Sequence, residues 1–327
     1  MNILELNKSR DIAVGYALGY NDGLGQGGGI SSDEWQFPEG WINIPDPSAN
    51  QIIMMVEIDD ISVNQPVLAI NLDGRDGQGF YEGIESIDWG DGYIDSMPVN
   101  YKPNYGHKYK EKGQYIITIN CSSTMNCLNL DTQVWTNGYI DGVAPSTGTN
   151  VICNVLRVII FGTNTALYHN IPTSNSYSYS AYNEIVYLRF KGVFKSYRTG
   201  NAPTLMYQHS LCKLVCNILP TLIDNSSFMN CYSLQDVDFA RNLTSIPKNA
   251  FSDCYGLRFA SFPNATEIGS SAFARCYNLK KVNAPLVSTV GNYAFGECRN
   301  LQEIIFADGC TIAEDSFKDS HNIYPKP

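Results

Sequence analysis

The chain has 327 residues, 44% hydrophobic and 17% charged, which is core enough for two domains and too apolar for global disorder. Its formal net charge is −10. An acidic chain without a Lys/Arg cluster lacks the patch that phosphates require, which argues against nucleic acid as a partner, and no apolar stretch approaches the length of a membrane-spanning helix.

The first 48 residues contain DIAVGYALGYNDGLGQGGGISSDEW, too rich in glycine for a helix, and GLGQGGG has the composition of a flexible linker. Residues 1–48 are therefore expected either to attach the chain to a larger assembly or to form a loosely packed leader. The opening MNILELNKSRDIAV has no apolar run of the kind a secretory signal needs.

Residues 49–130 carry strand patterns at both ends, IIMMVEIDD at 52–60 and QYIITINCS at 114–122, around a glycine-rich middle. Near the centre lies SIDWGDGYID, 86–95, followed by YGHKYKEKGQYIITI, 105–119. Asp-Gly favours a tight turn, Trp89 suits a sheet interior, and Tyr115, Ile117 and Ile119 alternate with Ile116, Thr118 and Asn120. Asp88, Asp91 and Asp95 place three carboxylates close in sequence, a weak calcium set without EF-hand spacing, for which turn-forming aspartate is the ordinary explanation. The combination of Trp89, Gly90, Asp91 and Gly92 with His107, Tyr109, Gly113 and Tyr115 resembles the PKD-type immunoglobulin-like β-sandwich. The resemblance implies a spacer or a platform facing proteins or carbohydrates, and a structural place for His107 beside Tyr109.

Residues 131–327 are expected to form a solenoid, degenerate at first. VLRVII at 155–160 and IVYLRF at 185–190 have the look of strands joined by insertions, and Leu205, Leu211 and Leu214 keep a repeat's spacing. The insertion SNSYSYSAY at 174–182 supplies Tyr177, Tyr179 and Tyr182, which with Trp135 form a candidate aromatic contact patch.

The regular repeats span 228–320. Phe251, Phe273, Phe295 and Phe317 recur every 22 residues and Phe228 lies 23 before the first; Ile246, Ile268, Val290 and Ile312 make a second column. The units FMNCYSLQDVDF, FSDCYGLRFASF, FARCYNLKKVNA and FGECRNLQEIIF begin at these phenylalanines. A coil of about 22 residues cannot bury its apolar side alone, so it must stack. Leu234, Val237 and Phe239 are expected to point inward, as are Leu257, Ala260 and Phe262, Leu279, Val282 and Ala284, and Leu301, Ile304 and Phe306. These units resemble the leucine-rich repeats of BspA-type bacterial surface proteins, AFxxCxxLxxVxF and a short return. The resemblance implies a mostly β, multi-domain chain in which a PKD-like sandwich precedes a leucine-rich-repeat solenoid, an extracellular or cell-surface location, and adhesion. Assembly into a bacteriophage particle is the alternative that needs no leader. HNIYPKP at the end, with Ser320 where the ladder has cysteine, suits a cap.

Ten cysteines invite a disulfide reading. Cys231, Cys254, Cys276 and Cys298 instead occupy one site in successive coils, a ladder of buried thiols, and Cys121 with Cys127 is the best disulfide candidate. A ladder spreads its sulfurs along an axis, which does not suit zinc. Four histidines, His107, His169, His209 and His321, lie in no catalytic motif, so neither an enzyme nor a cofactor is expected.

The candidate binding surface is the outward side of the solenoid strands: Asp236, Asp238, Phe259, Ser261, Lys281, Asn283, Glu303 and Ile305. Phe259 and Ile305 stand out as apolar residues at solvent-facing positions. The expected partner is a protein or glycan on a cell surface or matrix, without nucleic acid or a membrane span. Permanent docking in an assembly, with the same face against another copy or partner, is the competing reading.

Overall fold

In the computed structural model the described residues are 37, 39–58, 61, 67–71, 84–96, 104–121, 127–129, 139–140, 156–168, 185–193 and 205–320. Residue 37 apart, they fall into two compact units, one within residues 39–201 and one within residues 202–327. The linker or leader expected at 1–48 lies largely outside the described residues, and the cap expected at 321–327 lies wholly outside them.

The first unit is all β among its described residues. Its strands are β1 (Gln51–Ile58), β2 (Val67–Asn71), β3 (Ile84–Asp88), β4 (Ile94–Ser96), β5 (Asn104–Lys108), β6 (Gly113–Cys121), β7 (Cys127–Asn129), β8 (Tyr139–Ile140), β9 (Leu156–Phe161), β10 (Ala166–Tyr168) and β11 (Tyr187–Val193). One sheet contains the order β11–β9–β1–β6–β3–β4, and a second has the order β10–β7–β2–β5–β8. β1 is central because it is apolar at five consecutive positions, 52–56, all buried. A strand that is covered on both faces has no use for alternation. It pairs antiparallel with β6, Met54 opposite Ile117, and antiparallel with β9, Ile53 opposite Ile160.

The boundary expected at 130/131 lies outside the described residues. β11 does pair in parallel with β9, Tyr187 opposite Val158 and Phe190 opposite Phe161, as successive coils pair. The other edge of β9, however, is hydrogen-bonded to β1, so both strands belong to the unit that runs to residue 201. Gly162 makes that junction close: its N–H donates to the Gln51 carbonyl at 2.8 Å, and a Cβ there would lie 2.2 Å from the Ser48 carbonyl oxygen.

The second unit is a solenoid. On one side β13 (Phe259–Ser261), β15 (Lys281–Asn283) and β17 (Glu303–Ile305) stack in parallel; on another β14 (Glu267–Ile268), β16 (Thr289–Val290) and β18 (Thr311–Ile312) do the same. β12 (Lys213–Ile218) precedes them. The third side, around the phenylalanines, has turns in place of strands, and left-handed residues stand two before and two after each phenylalanine from 228 to 295. They are Ser226, Asn249, Ser271 and Tyr293 before, and Asn230, Asp253, Arg275 and Glu297 after. Their conformation aims alternate N–H groups at the next coil: Phe251 N–H donates to Ala272 O and Asp253 N–H to Ala274 O, both at 2.8 Å.

The core is a set of side-chain columns. The phenylalanine rings stack at 5.5, 5.4, 5.3 and 5.2 Å from Phe228 to Phe317. Burying each ring stabilises the fold by ~1.5–3 kcal/mol, and stacking adds ~0.5–1.5 kcal/mol. The inward residues of the first three regular coils are buried as expected, whereas Ile304 and Phe306 in the fourth are only half-buried. The coil from Phe228 to Phe251 is a residue longer than the three that follow it. Its extra residue falls between Phe239 and Ile246, where a 3₁₀ turn, Asp238–Ala240, replaces a regular strand.

The cysteine ladder is a hydrogen-bonding device. The thiols of Cys231, Cys254, Cys276 and Cys298 donate to the carbonyls of Leu205, Phe228, Phe251 and Phe273 at 3.0–3.2 Å, each one coil back. The Ser320 hydroxyl does the same to Phe295 at 2.6 Å. All of these cysteines are free thiols, and so is buried Cys121, which therefore does not form the disulfide considered with Cys127.

Candidate functional site

The outward strand positions form columns across the coils. Phe259 stands opposite Lys281, and Lys281 opposite Glu303; Ser261 stands opposite Asn283, and Asn283 opposite Ile305. Phe259 is 58% exposed and Ile305 39% exposed, although sheets usually bury such side chains. Glu303 is exposed as well, while Asp236, Asp238, Ser261, Lys281 and Asn283 are half-buried.

The charges around Phe259 are arranged in pairs. Lys213 donates to Asp236 at 2.7 Å, and Lys281 lies 2.7 Å from Glu303. Asp236 also accepts the backbone N–H of Asp238. Burial pushes the Asp238 carboxyl above its ordinary value, and the neighbouring Asp236 carboxylate adds to the rise. At the column beside these, Arg258 and Lys280 are both exposed, and the Lys280 N–H donates to the Arg258 carbonyl at 2.8 Å, so the two side chains occupy adjacent rungs.

A second ordered surface follows the residue after each cysteine. His209 stacks on Tyr232 at 4.3 Å, Tyr232 on Tyr255 at 4.8 Å and Tyr255 on Tyr277 at 5.1 Å, and the Arg299 guanidinium sits 5.1 Å above Tyr277. The rings are half-buried, with their faces occupied by one another. Beside them Arg275 grips Asp253 with two bonds of 2.6 Å. Burial would raise the Asp253 carboxyl, but the hydrogen bonds from Arg275 and Ser252 outweigh it and hold the group below its usual range. The ladder was present in the sequence as the column HSL, YSL, YGL, YNL and RNL, which the inward-outward analysis of the strands passed over.

In the first unit the WGDG turn has a defined polar interior. Trp89 is buried and donates from Nε1 to Asp95 at 2.8 Å, and the Tyr109 hydroxyl donates to the Trp89 carbonyl at 2.9 Å. His107 is buried between the rings of Trp89 and Tyr93, 5.2 Å from each, with Nε2 2.8 Å from Asp91. Burial raises the Asp91 carboxyl, but the bonds from His107 and the Tyr93 N–H outweigh it, leaving it below its ordinary value. Asp88 accepts from the Gly90 N–H. The three aspartates weighed as a weak calcium set are thus each committed to a separate partner, and among the described residues no group of three or more His, Cys, Asp or Glu is placed to hold a metal.

Trp135, Tyr177, Tyr179 and Tyr182 lie outside the described residues. Among the described residues no helix is long and apolar enough to cross a membrane.

Comparison with curated proteins finds no match. The crystal structure of a leucine rich cell surface protein from Faecalibacterium prausnitzii A2-165 aligns at 16% identity and a TM-score of 0.30. The alignment covers 70% of this chain and 57% of that one, so the chain spans little more than half the length of that protein. Residues 206–324 match the BspA type Leucine rich repeat region, in six copies. With its parallel coils, its phenylalanine and cysteine columns and this match, the C-terminal part of the chain is a BspA-type leucine-rich-repeat solenoid.

Proposed function

We propose that the protein is a non-enzymatic binding or adhesion protein that recognises a protein or glycan through the outward face of β13, β15 and β17. The observation that carries this reading is Phe259: a large aromatic ring, 58% exposed, in a column whose neighbours on either side are tied up in ion pairs. An apolar anchor ringed by ordered polar groups is the usual anatomy of a binding hot spot. Asp236, Asp238, Ser261, Lys281, Asn283, Glu303 and Ile305 make up the rest of the face. A leucine-rich-repeat solenoid is an architecture generally used for binding and rarely for chemistry.

The unit around the WGDG turn acts in this reading as a PKD-like spacer; the buried Trp89 and the turn that its N–H closes onto Tyr93 O at 3.1 Å support the assignment. The extracellular or surface location belongs to the same proposal. The test is binding of the purified protein to bacterial cells, matrix proteins and glycans, with solution mass measured by light scattering. A monomer that binds one of them, and loses at least about tenfold in affinity on Phe259→Asp or Ile305→Asp, supports recognition. A stable oligomer that binds none moves the face to a permanent assembly contact on a cell surface or virion.

A further inference from the structure

Building on the recognition face proposed above, we infer that its ligand is an anionic glycan, a chain of sugars bearing carboxylate or sulfate. The charges of the face do not average out. Asp236 is held by Lys213 and Glu303 by Lys281, so those four groups largely cancel in place. Arg258 and Lys280 have no ion-pair partner among the described residues, are exposed, and sit on adjacent rungs next to Phe259. Rungs of a parallel sheet are ~4.8 Å apart, near enough for one carboxylate or sulfate to engage both cations. In a chain of net charge −10 this doublet is a local exception. The acid on the face outside the two ion pairs, Asp238, belongs to the coil before Phe259, two coils before that of Lys280.

The uncharged groups narrow the class further. Phe259 offers an exposed aromatic surface, and the Ser261 hydroxyl and Asn283 amide, opposite one another on β13 and β15, make no side-chain hydrogen bond among the described residues. A sugar acid carries an apolar C–H face, hydroxyls and an anion on one ring, and matches all three features. An acidic peptide matches only the cations. The backbone amides and carbonyls between these strands are spent on the ladder itself, so the face has no main-chain groups to give an extended peptide.

The experiment is titration of the full chain with oligogalacturonate, a chondroitin sulfate oligosaccharide, neutral cellohexaose and hexaglutamate, at low and raised salt. The expected result is binding of one or both anionic oligosaccharides that weakens with salt. The double variant Arg258→Ala/Lys280→Ala is expected to lose about tenfold or more in affinity and most of the salt dependence. Phe259→Ala is expected to lose affinity while keeping the salt dependence. Equal binding of cellohexaose, equal or tighter binding of hexaglutamate, or no binding of any probe overturns the inference. If the double variant keeps full binding to a partner that Phe259→Asp abolishes, the recognition face stands and its anion preference falls; if Phe259→Asp changes nothing for a bound partner, the face itself falls. All three positions are exposed, so an unchanged melting curve confirms that each variant is folded.

Discussion

At the scale of single residues, His209 is the group whose chemistry the fold changes most visibly. It starts the aromatic ladder, stacked on Tyr232, with Nε2 buried and without a hydrogen-bond partner among the described residues. Burial pushes its imidazole down to about 4, from 6.5. The unfolded chain therefore takes up a proton near pH 6.5 that the folded chain refuses until about pH 4, so stability is lost as pH falls through that window and is unaffected above it. The loss amounts to about 1–3 kcal/mol. Urea unfolding at pH 7 and pH 5 checks this: His209→Phe should show a smaller drop between the two than the unaltered protein, and an equal drop would mean that other groups carry the dependence. The cysteines behave in the opposite sense. Burial pushes Cys231 and Cys212 up to about 12, and Cys254 and Cys276 well above the ordinary thiol value, so these sulfurs act as hydrogen-bond donors and not as nucleophiles.

At the scale of the element, the WGDG turn separates backbone strain from steric contact. Gly90 has φ +81°, and a Cβ there would lie 2.4 Å from the Ile116 carbonyl oxygen; Gly92 has φ +92° and open space around it. Gly90→Ala is expected to destabilise the protein by more than ~2 kcal/mol and Gly92→Ala by ~1 kcal/mol, measured by denaturant unfolding. Equal effects would show that the clash relaxes freely. The turn was legible because Trp, Gly and Asp each have one physical use in it, and so were the inward positions of 234–306, because a column repeated four times reveals its own phase. The placement of 156–193 was not legible in the same way. LRVIIF and YLRFKG carry the apolar content of coil strands, but nothing local in them records that β9 finds β1, a hundred residues earlier, on its other edge. The aromatic ladder escaped for a different reason: its residues sit in turns, where neither a period of two nor burial singles them out.

At the scale of the whole molecule, the solenoid's stability should be graded along its axis. The coils around Phe251 and Phe273 have neighbours on both sides and fully buried inward residues, whereas Ile304, Phe306 and Ile312 in the last described coil are half-buried. In a stack held by nearest-neighbour contacts, local opening is easiest where the inward residues are least buried. Hydrogen exchange should therefore be slowest at the N–H groups of Phe251 and Phe273 and markedly faster at those of Thr311 and Ala313. Uniform protection from coil to coil would mean that the stack opens only as one unit.

The longer coil shows where such a stack tolerates editing. Each of the four ladder thiols reaches a carbonyl 25 or 26 residues back, so the sulfur column acts as a ruler laid along the chain. The surplus residue between Phe239 and Ile246 leaves that ruler intact, because a 3₁₀ turn takes it up at a corner. The same insertion between Ile268 and Cys276 would shift the left-handed pair Ser271 and Arg275 out of step with the coils on either side. Lineages of such repeats can thus lengthen at one corner and vary freely there, while the arc from the isoleucine column to the cysteine column stays fixed in length.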